Sequence, residues 1–235
     1  MLTSMNRALF AVVLLGSLGC AGRLPGPTMP VAMPSVSTDS VGLWVASTRV
    51  AVPMRLQFGW RLQDGSGSTP GRGVAVVIRG DSLRADFRLP LGAASGALAV
   101  VGDQALWAEP EEDISKLVPN YPLLWALLGQ ARMPAAGDQV RAFANERLVA
   151  WQYVSGIDTT DYLLTRGSPR ELVADVRIAG ARLGRVYSIF GANGILERSR
   201  LDVPSPSSRL ELTVRNHSVP DTLPTNFWVR PSDAP

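Results

Sequence analysis

The chain has 235 residues, 46% of them hydrophobic and 18% charged, which is enough apolar mass for one sizeable core or two small ones. Its 23 Lys and Arg against 20 Asp and Glu leave a net charge of +3 without any basic run, which argues against a nucleic-acid binder. A single cysteine, Cys20, excludes a disulfide framework and a thiolate metal cluster, and the single histidine, His217, has no second histidine with which to share a metal.

Residues 1–19 have the layout of a secretory signal peptide. Arg7 supplies the positive n-region, and 8–15 is an apolar run too short to span a bilayer. Gly16-Ser17-Leu18-Gly19-Cys20 follows and resembles the bacterial lipobox, in which a small residue precedes a cysteine that is diacylated and becomes the new N-terminus. Leucine is usual where Ser17 stands. The resemblance makes Cys20 the expected lipid-attachment site, and each acyl methylene buried in a membrane contributes roughly 0.8 kcal/mol. Ala21 stands where proteobacteria use aspartate to retain a lipoprotein at the inner membrane. The expected location is therefore the periplasmic face of the outer membrane. Removing 1–19 leaves 22 basic and 20 acidic groups. Residues 20–37 hold four prolines among Gly and Ser and read as a lipidated, flexible tether.

The folded domain is expected at 38–219. Ser37 or Thr38 suits the cap of a short helix to about Arg49, although Val41, Val45 and Val50 suit a strand as well. From there the pattern is β. Met54, Leu56, Phe58, Trp60 and Leu62 alternate with polar residues, the signature of a strand buried on one face. Residues 64–71 read as a Gly/Ser-rich turn, and 72–79 as a strand with Val74, Val76 and Ile78 in phase. Leu83, Ala85, Phe87 and Leu89 alternate after the Gly80-Asp81 turn. Pro90-Leu91-Gly92 forms a loop, and 96–101 and 104–108 form a hairpin around Gly102-Asp103.

The one convincing helical passage is the insert 109–133. Pro110-Glu111-Glu112-Asp113 is a good helix start, because proline suits the first turn and acids face the positive end of the dipole. Ile114, Leu117 and Val118 make one apolar face before Pro119-Asn120 ends it. A second helix at 121–130 is apolar nearly all round through Leu123, Leu124, Trp125, Leu127 and Leu128, with Gly129 near its stop. Such a helix must be covered. Periodicity fits a permanent core helix and a lid over a guest acyl chain equally.

Strands resume at 146–154, 160–166, 171–179, 182–190, 195–203 and 209–215, and 220–235 is an irregular tail in which 226–229 suits a last short strand. About ten closely spaced strands with Gly turns argue for a barrel or sandwich. Two motifs mislead. Gly80-Asp81-Ser82-Leu83 spells the start of a GDSL hydrolase, but Val214 stands where the Asp of its Asp-x-x-His pair belongs, so Ser82 lacks a base. Arg79-Gly80-Asp81 is explained by turn chemistry. No catalytic constellation is present and no cofactor is implied, so the reading is not an enzyme.

The run from Asp81 through Pro90-Leu91-Gly92, then a hairpin, an acidic helix and Leu124-Trp125-Ala126-Leu127-Leu128-Gly129, resembles LolB, the outer-membrane lipoprotein receptor. It also resembles the wider fold shared with its periplasmic carrier partner LolA. The resemblance covers about 54–217 in order of elements. It implies a mainly β fold, an unclosed antiparallel barrel (a half-barrel) with a helical lid, that binds lipoprotein acyl chains and hands them to the outer membrane. It assigns Pro90, Leu91 and Gly92 to a membrane-insertion loop with Leu91 protruding. The tail beyond His217 is longer than in LolB, and its Phe-x-x-x-Pro ending looks more like the carrier.

The expected lining of the hollow and lid is Phe58, Trp60, Val76, Phe87, Trp107, Leu117, Leu124, Trp125 and Leu128. Expected partners are lipoprotein acyl chains or another lipid, the outer membrane and a LolA-like carrier, with no nucleic acid and no metal. The alternatives are a structural lipoprotein whose half-barrel is filled by its own side chains, and a carrier of another periplasmic lipid.

Overall fold

The computed structural model describes residues 33–79, 81–89, 95–112, 114 and 118–231. The signal peptide, Cys20, most of the tether, the loop residues Pro90, Leu91 and Gly92, and the lid residue Leu117 lie outside the described residues.

Twelve strands form one antiparallel sheet: β1 (Met54–Asp64), β2 (Gly67–Ile78), β3 (Ser82–Arg88), β4 (Ser95–Val101), β5 (Gln104–Glu109), β6 (Gln139–Ala144), β7 (Leu148–Ser155), β8 (Asp158–Thr165), β9 (Arg170–Ile178), β10 (Ala181–Phe190), β11 (Leu196–Pro204) and β12 (Ser207–Ser218). Their spatial order is β5-β4-β3-β2-β1-β12-β11-β10-β9-β8-β7-β6. Two meanders, β1–β5 and β6–β12, are thus joined where β12 pairs with β1, from Arg55↔Ser218 to Gln63↔Arg209. β5 and β6 are the two edge strands of the sheet, β6 being bridged only briefly by residues 34–36, and the helical insert is the connection between them. An unclosed half-barrel is therefore the observed fold, as the sequence led us to expect.

Burial shows how the sheet curls. One apolar cluster draws Leu56 and Phe58 from β1, Val77 from β2, Leu83 from β3, Leu98 from β4, and so on through Trp151, Tyr162, Leu172, Val186, Leu201 and Leu212. Residues from one face of nearly every strand can meet in a single cluster only if that face is the inside of a curve. Bulges at Gln57/Phe58, Ala99/Val100, Arg182/Gly184 and Ile189/Phe190 supply local bends. Two helices fill part of the hollow: α1 (Ser40–Ala46), which buries Val41 and Val45, and α2 (Tyr121–Leu127). The helix reading of the segment after Ser37 is thus the observed one. Before α2, Ile114 and Val118 stand one helical turn apart, their N–H groups donating to the Pro110 and Ile114 carbonyls.

The outer face is covered at two places. Ala97, Ala99 and Trp107 form an outer cluster against which Trp228 packs. The Trp107 indole N–H donates to the Trp228 carbonyl at 2.8 Å, and the Arg84 guanidinium lies over both the Trp107 and Phe227 rings. Residues 226–229 are a turn rather than the expected strand, closed by the Val229 N–H on the Asn226 carbonyl. Deleting 220–235 should expose this cluster and lower stability by about 2–4 kcal/mol in equilibrium urea unfolding, the cost of uncovering one large aromatic contact. At the other edge, Ser35 bridges Phe143 of β6, and Met33 packs on Ala150, Leu163 and Val173. On the same face Asp161 is paired with Gln152 and Arg177. Burial pushes its carboxyl above the usual range, and those two partners pull it back.

Candidate functional site

The two rims of the half-barrel differ. The front rim carries the β1–β2 turn, the end of β3 and the start of β4; the back rim carries the β2–β3 and β10–β11 turns. Toward the front rim the inner face is paved with aromatic rings. Phe58 and Phe87 meet edge to face at 5.8 Å, and Trp60 meets Phe87 at 6.5 Å. The rings lie flat because β2 has glycine beneath them. A Cβ at Gly71 would overlap the Trp60 indole, and one at Gly73 would overlap the Phe58 ring. The indole N–H of Trp60 is satisfied by the Arg72 carbonyl at 3.1 Å, so the ring keeps its apolar face for the hollow. Ile114 reaches over Gly96 of β4, where an added Cβ would stand 3.4 Å from its Cδ1.

Here the apolar side chains are not fully covered. Trp60, Leu62, Phe87, Ala108, Ile114, Val118 and Leu183 are half-buried and pack on the main cluster. Trp60, Leu62, Phe87, Ala108 and Leu183 lie toward the front ends of β1, β3, β5 and β10, and Ile114 and Val118 belong to the insert. The arrangement can hold an aliphatic chain by burial alone, at about 25 cal/mol per Å² of apolar surface covered.

Deeper in, the hollow is occupied by α2. Asn120 caps the helix by accepting the Leu123 N–H at 3.0 Å, and Pro122 sits in its first turn. Gly129, at φ 78°, takes the left-handed turn that ends it. Leu123 to Leu127 are all buried, as an all-round apolar helix requires. Two inward serines hold its last turn: Ser188 donates to the Ala126 carbonyl and Ser199 to the Leu127 carbonyl, each at 2.6 Å. The Trp125 indole N–H donates to the Gly102 carbonyl at 2.8 Å, and Arg132 stacks over that ring while pairing with Asp103 at 3.1 Å.

Of the expected lining residues, Phe58, Trp60 and Phe87 lie on the inner face toward the front mouth, and Leu124, Trp125 and Leu128 belong to the same inner cluster through α2 and its end. Two belong elsewhere. Val76 pairs with Arg55 and Arg84 on the outer face, and the inner positions of β2 are Gly73, Ala75 and Val77. The run Val74 to Ile78 is apolar on both faces, so alternation could not say which side faced in. Trp107 is also outward, paired with Ala99 and covered by the tail. Sequence reasoning passed over Ser188 and Ser199, yet each is a small polar residue at an inward position of an otherwise apolar strand, and that is a signal. Gly73 was legible too, as a glycine inside an expected strand.

The hydrolase-like Ser82 lies on β3 and the exposed His217 on β12, with β1 and β2 between them. Among the described residues no group of three or more His, Cys, Asp or Glu is placed to hold a metal ion.

No family model matches the chain, and no curated protein matches it in sequence. Solved structures do match in shape. A domain from Vibrio parahaemolyticus described as an outer membrane lipoprotein-sorting protein superposes with a TM-score of 0.52 at 12% identity, over 81% of this chain and 95% of that one. A LolA superfamily protein from Nitrosomonas europaea (TM-score 0.38, 9% identity, 82% and 97% coverage) and a DUF1329 family protein from Desulfovibrio piger (0.44, 10%, 82% and 95%) also match. At such identities the likeness is one of fold: a mostly β, unclosed antiparallel sheet.

Proposed function

We propose that this protein is a lipid-anchored carrier of acyl chains at the periplasmic face of the outer membrane, attached through Cys20, that receives acylated cargo from a LolA-like carrier and passes it to the membrane as LolB does. The observation that supports this most is the front mouth. Trp60, Leu62, Phe87, Ile114 and Val118 present half-buried apolar surface on the inside of a curved sheet. The strands flanking residues 90–94 end at that same rim, so a membrane-entering Leu91 would work beside the site that holds the chain. Transfer then needs no covalent step: cargo moves toward whichever apolar surface covers more of it.

The test is native mass spectrometry of the chain expressed without 1–19 and purified in the presence of an acylated peptide. The expected spectrum shows a one-to-one complex that is lost in the double variant Trp60→Ala/Phe87→Ala. A bare chain under all conditions overturns the carrier reading. Leu91→Glu should leave the thermal midpoint unchanged and cut delivery of cargo to outer-membrane vesicles by an order of magnitude or more, because a carboxylate resists entry into the hydrocarbon. Normal delivery by that variant would remove the loop from the mechanism.

A second reading has its own support. The hydrogen bonds that fix α2 inside the sheet suit a structural lipoprotein whose hollow is filled for good. Under it the spectrum shows no complex with any acyl compound, whereas a carrier of another periplasmic lipid would show a different mass.

A further inference from the structure

At the back rim, a pocket of about 140 Å³ opens between the end of α1, the start of β1, the segment after α2 and the β10–β11 turn. Its apolar wall includes Leu56, Val77, Leu128 and Phe190, and its polar lining is Ser47, Thr48, Arg49 and Gln130. Gln130 is 1% exposed, and neither its Oε1 nor its Nε2 has a hydrogen-bond partner. The Nε–H of Arg49 is buried and unpartnered as well. Thr48, beside them, is satisfied: its hydroxyl donates to the Val45 carbonyl and accepts the Ala131 N–H. Ser47 is satisfied too, its hydroxyl donating to the Trp44 carbonyl and accepting from Arg170, so the unmet capacity is that of the Gln130 amide and the Arg49 Nε–H facing one small, largely apolar space.

Leaving a buried donor unpaired costs about 1–3 kcal/mol, and more for a charged group. A methionine or leucine at 130 would match its apolar neighbours and avoid that cost. A water molecule would satisfy the amide, but it would leave the Arg49 charge without a counterion, and among the described residues no Asp or Glu is paired with Arg49. A carboxylate meets both needs, since it only accepts hydrogen bonds and it carries the opposite charge. At roughly 30 Å³ per water-sized group, the space takes about four or five such groups. We propose that this back-rim pocket binds a monocarboxylate with a short aliphatic tail, with Gln130 donating to the carboxylate, Arg49 compensating its charge, and the tail lying against Leu56, Val77 and Phe190. The ligand is either a whole short-chain acid or the carboxyl end of a free fatty acid. The site lies at the opposite end of the strands from the front mouth and does not depend on the carrier reading.

The experiment is isothermal titration of the chain lacking 1–19 with sodium butyrate, sodium octanoate and, as the neutral control, 1-butanol. At least one of the two acids should bind, while butanol should not. Butyrate alone identifies a whole short-chain acid, and tighter binding of octanoate identifies the end of a fatty acid. Gln130→Met should weaken the binding acid at least tenfold while its thermal midpoint equals or exceeds that of the unmodified chain, because an unpaired amide has been replaced by an apolar side chain. Arg49→Met, at a half-buried position after α1, should weaken it likewise and serves if the first variant misfolds. Trp60→Ala/Phe87→Ala should leave this binding unchanged, which separates its failure from failure of the front mouth. Absence of heat with both acids up to on the order of 10 mM, or equal affinity of the unmodified chain and both variants, overturns the proposal.

Discussion

Gly73→Val is expected to lower the stability of the protein by about 3 kcal/mol or more, one of the largest effects of any single substitution in the front half of the sheet. The reason is geometric. The backbone at Gly73 is ordinary strand, so no left-handed turn is at stake. What a side chain there meets is the Phe58 ring, which an added Cβ would overlap, and the Asp86 carbonyl oxygen at 2.9 Å. The ring cannot simply swing away, since its edge is packed on Phe87 at 5.8 Å. The backbone oxygen cannot yield without opening the β2–β3 ladder at the Gly73↔Phe87 pair. Overpacking of a core costs roughly 1–3 kcal/mol when side chains can adjust, and here one obstacle is main chain. Gly96→Ala is the control. It lies across β3 from Gly73, but its added Cβ would stand no closer than 3.4 Å to any neighbour, so it should cost less than about 1 kcal/mol. Equilibrium urea unfolding followed by tryptophan fluorescence measures both. Similar small losses for the two variants would mean that the aromatic floor is loose.

That floor also shows how far the sequence could be read. Alternation in 54–62 placed Phe58 and Trp60 on one face of a strand, and the structure has them there. The same rule failed in 74–78, where both faces are apolar, and at Trp107, where the bulge at Ala99/Val100 and the returning tail make the outer face look like a core. β6 went unread because Phe143 points outward while the inward positions are Val140, Ala142 and Ala144, so its largest apolar residue marks the wrong face. β2 begins earlier than its composition suggests. Residues 67–71 are rich in Gly, Ser and Pro, yet they pair with β1 from Asp64↔Gly67 to Trp60↔Gly71. Glycine was read as a turn former when its role is to leave room for an indole. The all-round apolar character of α2 was plain, but whether it is wall or door was not, because periodicity reports burial and not the strength of what holds a helix in place.

Removing the two serine hydroxyls that hold α2 should separate those roles. The Ala126 carbonyl accepts the Gly129 N–H as well as the Ser188 hydroxyl, so Ser188→Ala takes away only a second bond and should cost about 1 kcal/mol. The Leu127 carbonyl belongs to the last turn, where a helix leaves carbonyls without intrahelical partners, and Ser199 supplies its donor. Ser199→Ala should therefore cost more, about 2–3 kcal/mol, since it strands a buried acceptor. The double variant should lose about 3–4 kcal/mol, and the loss should be local. Amide exchange should accelerate over 121–130 by two orders of magnitude or more, while strands β1 to β4 keep their protection. If α2 is a door, the hollow beneath Leu123 and Leu127 becomes open to a guest, and the double variant should bind an acylated peptide several-fold more tightly than the unmodified chain, because less work is needed to displace the helix. If α2 is a wall, the same loss of stability appears with unchanged or weaker binding. Exchange rates and affinity measured on the one variant decide between a carrier that opens and a sheet built around its own helix.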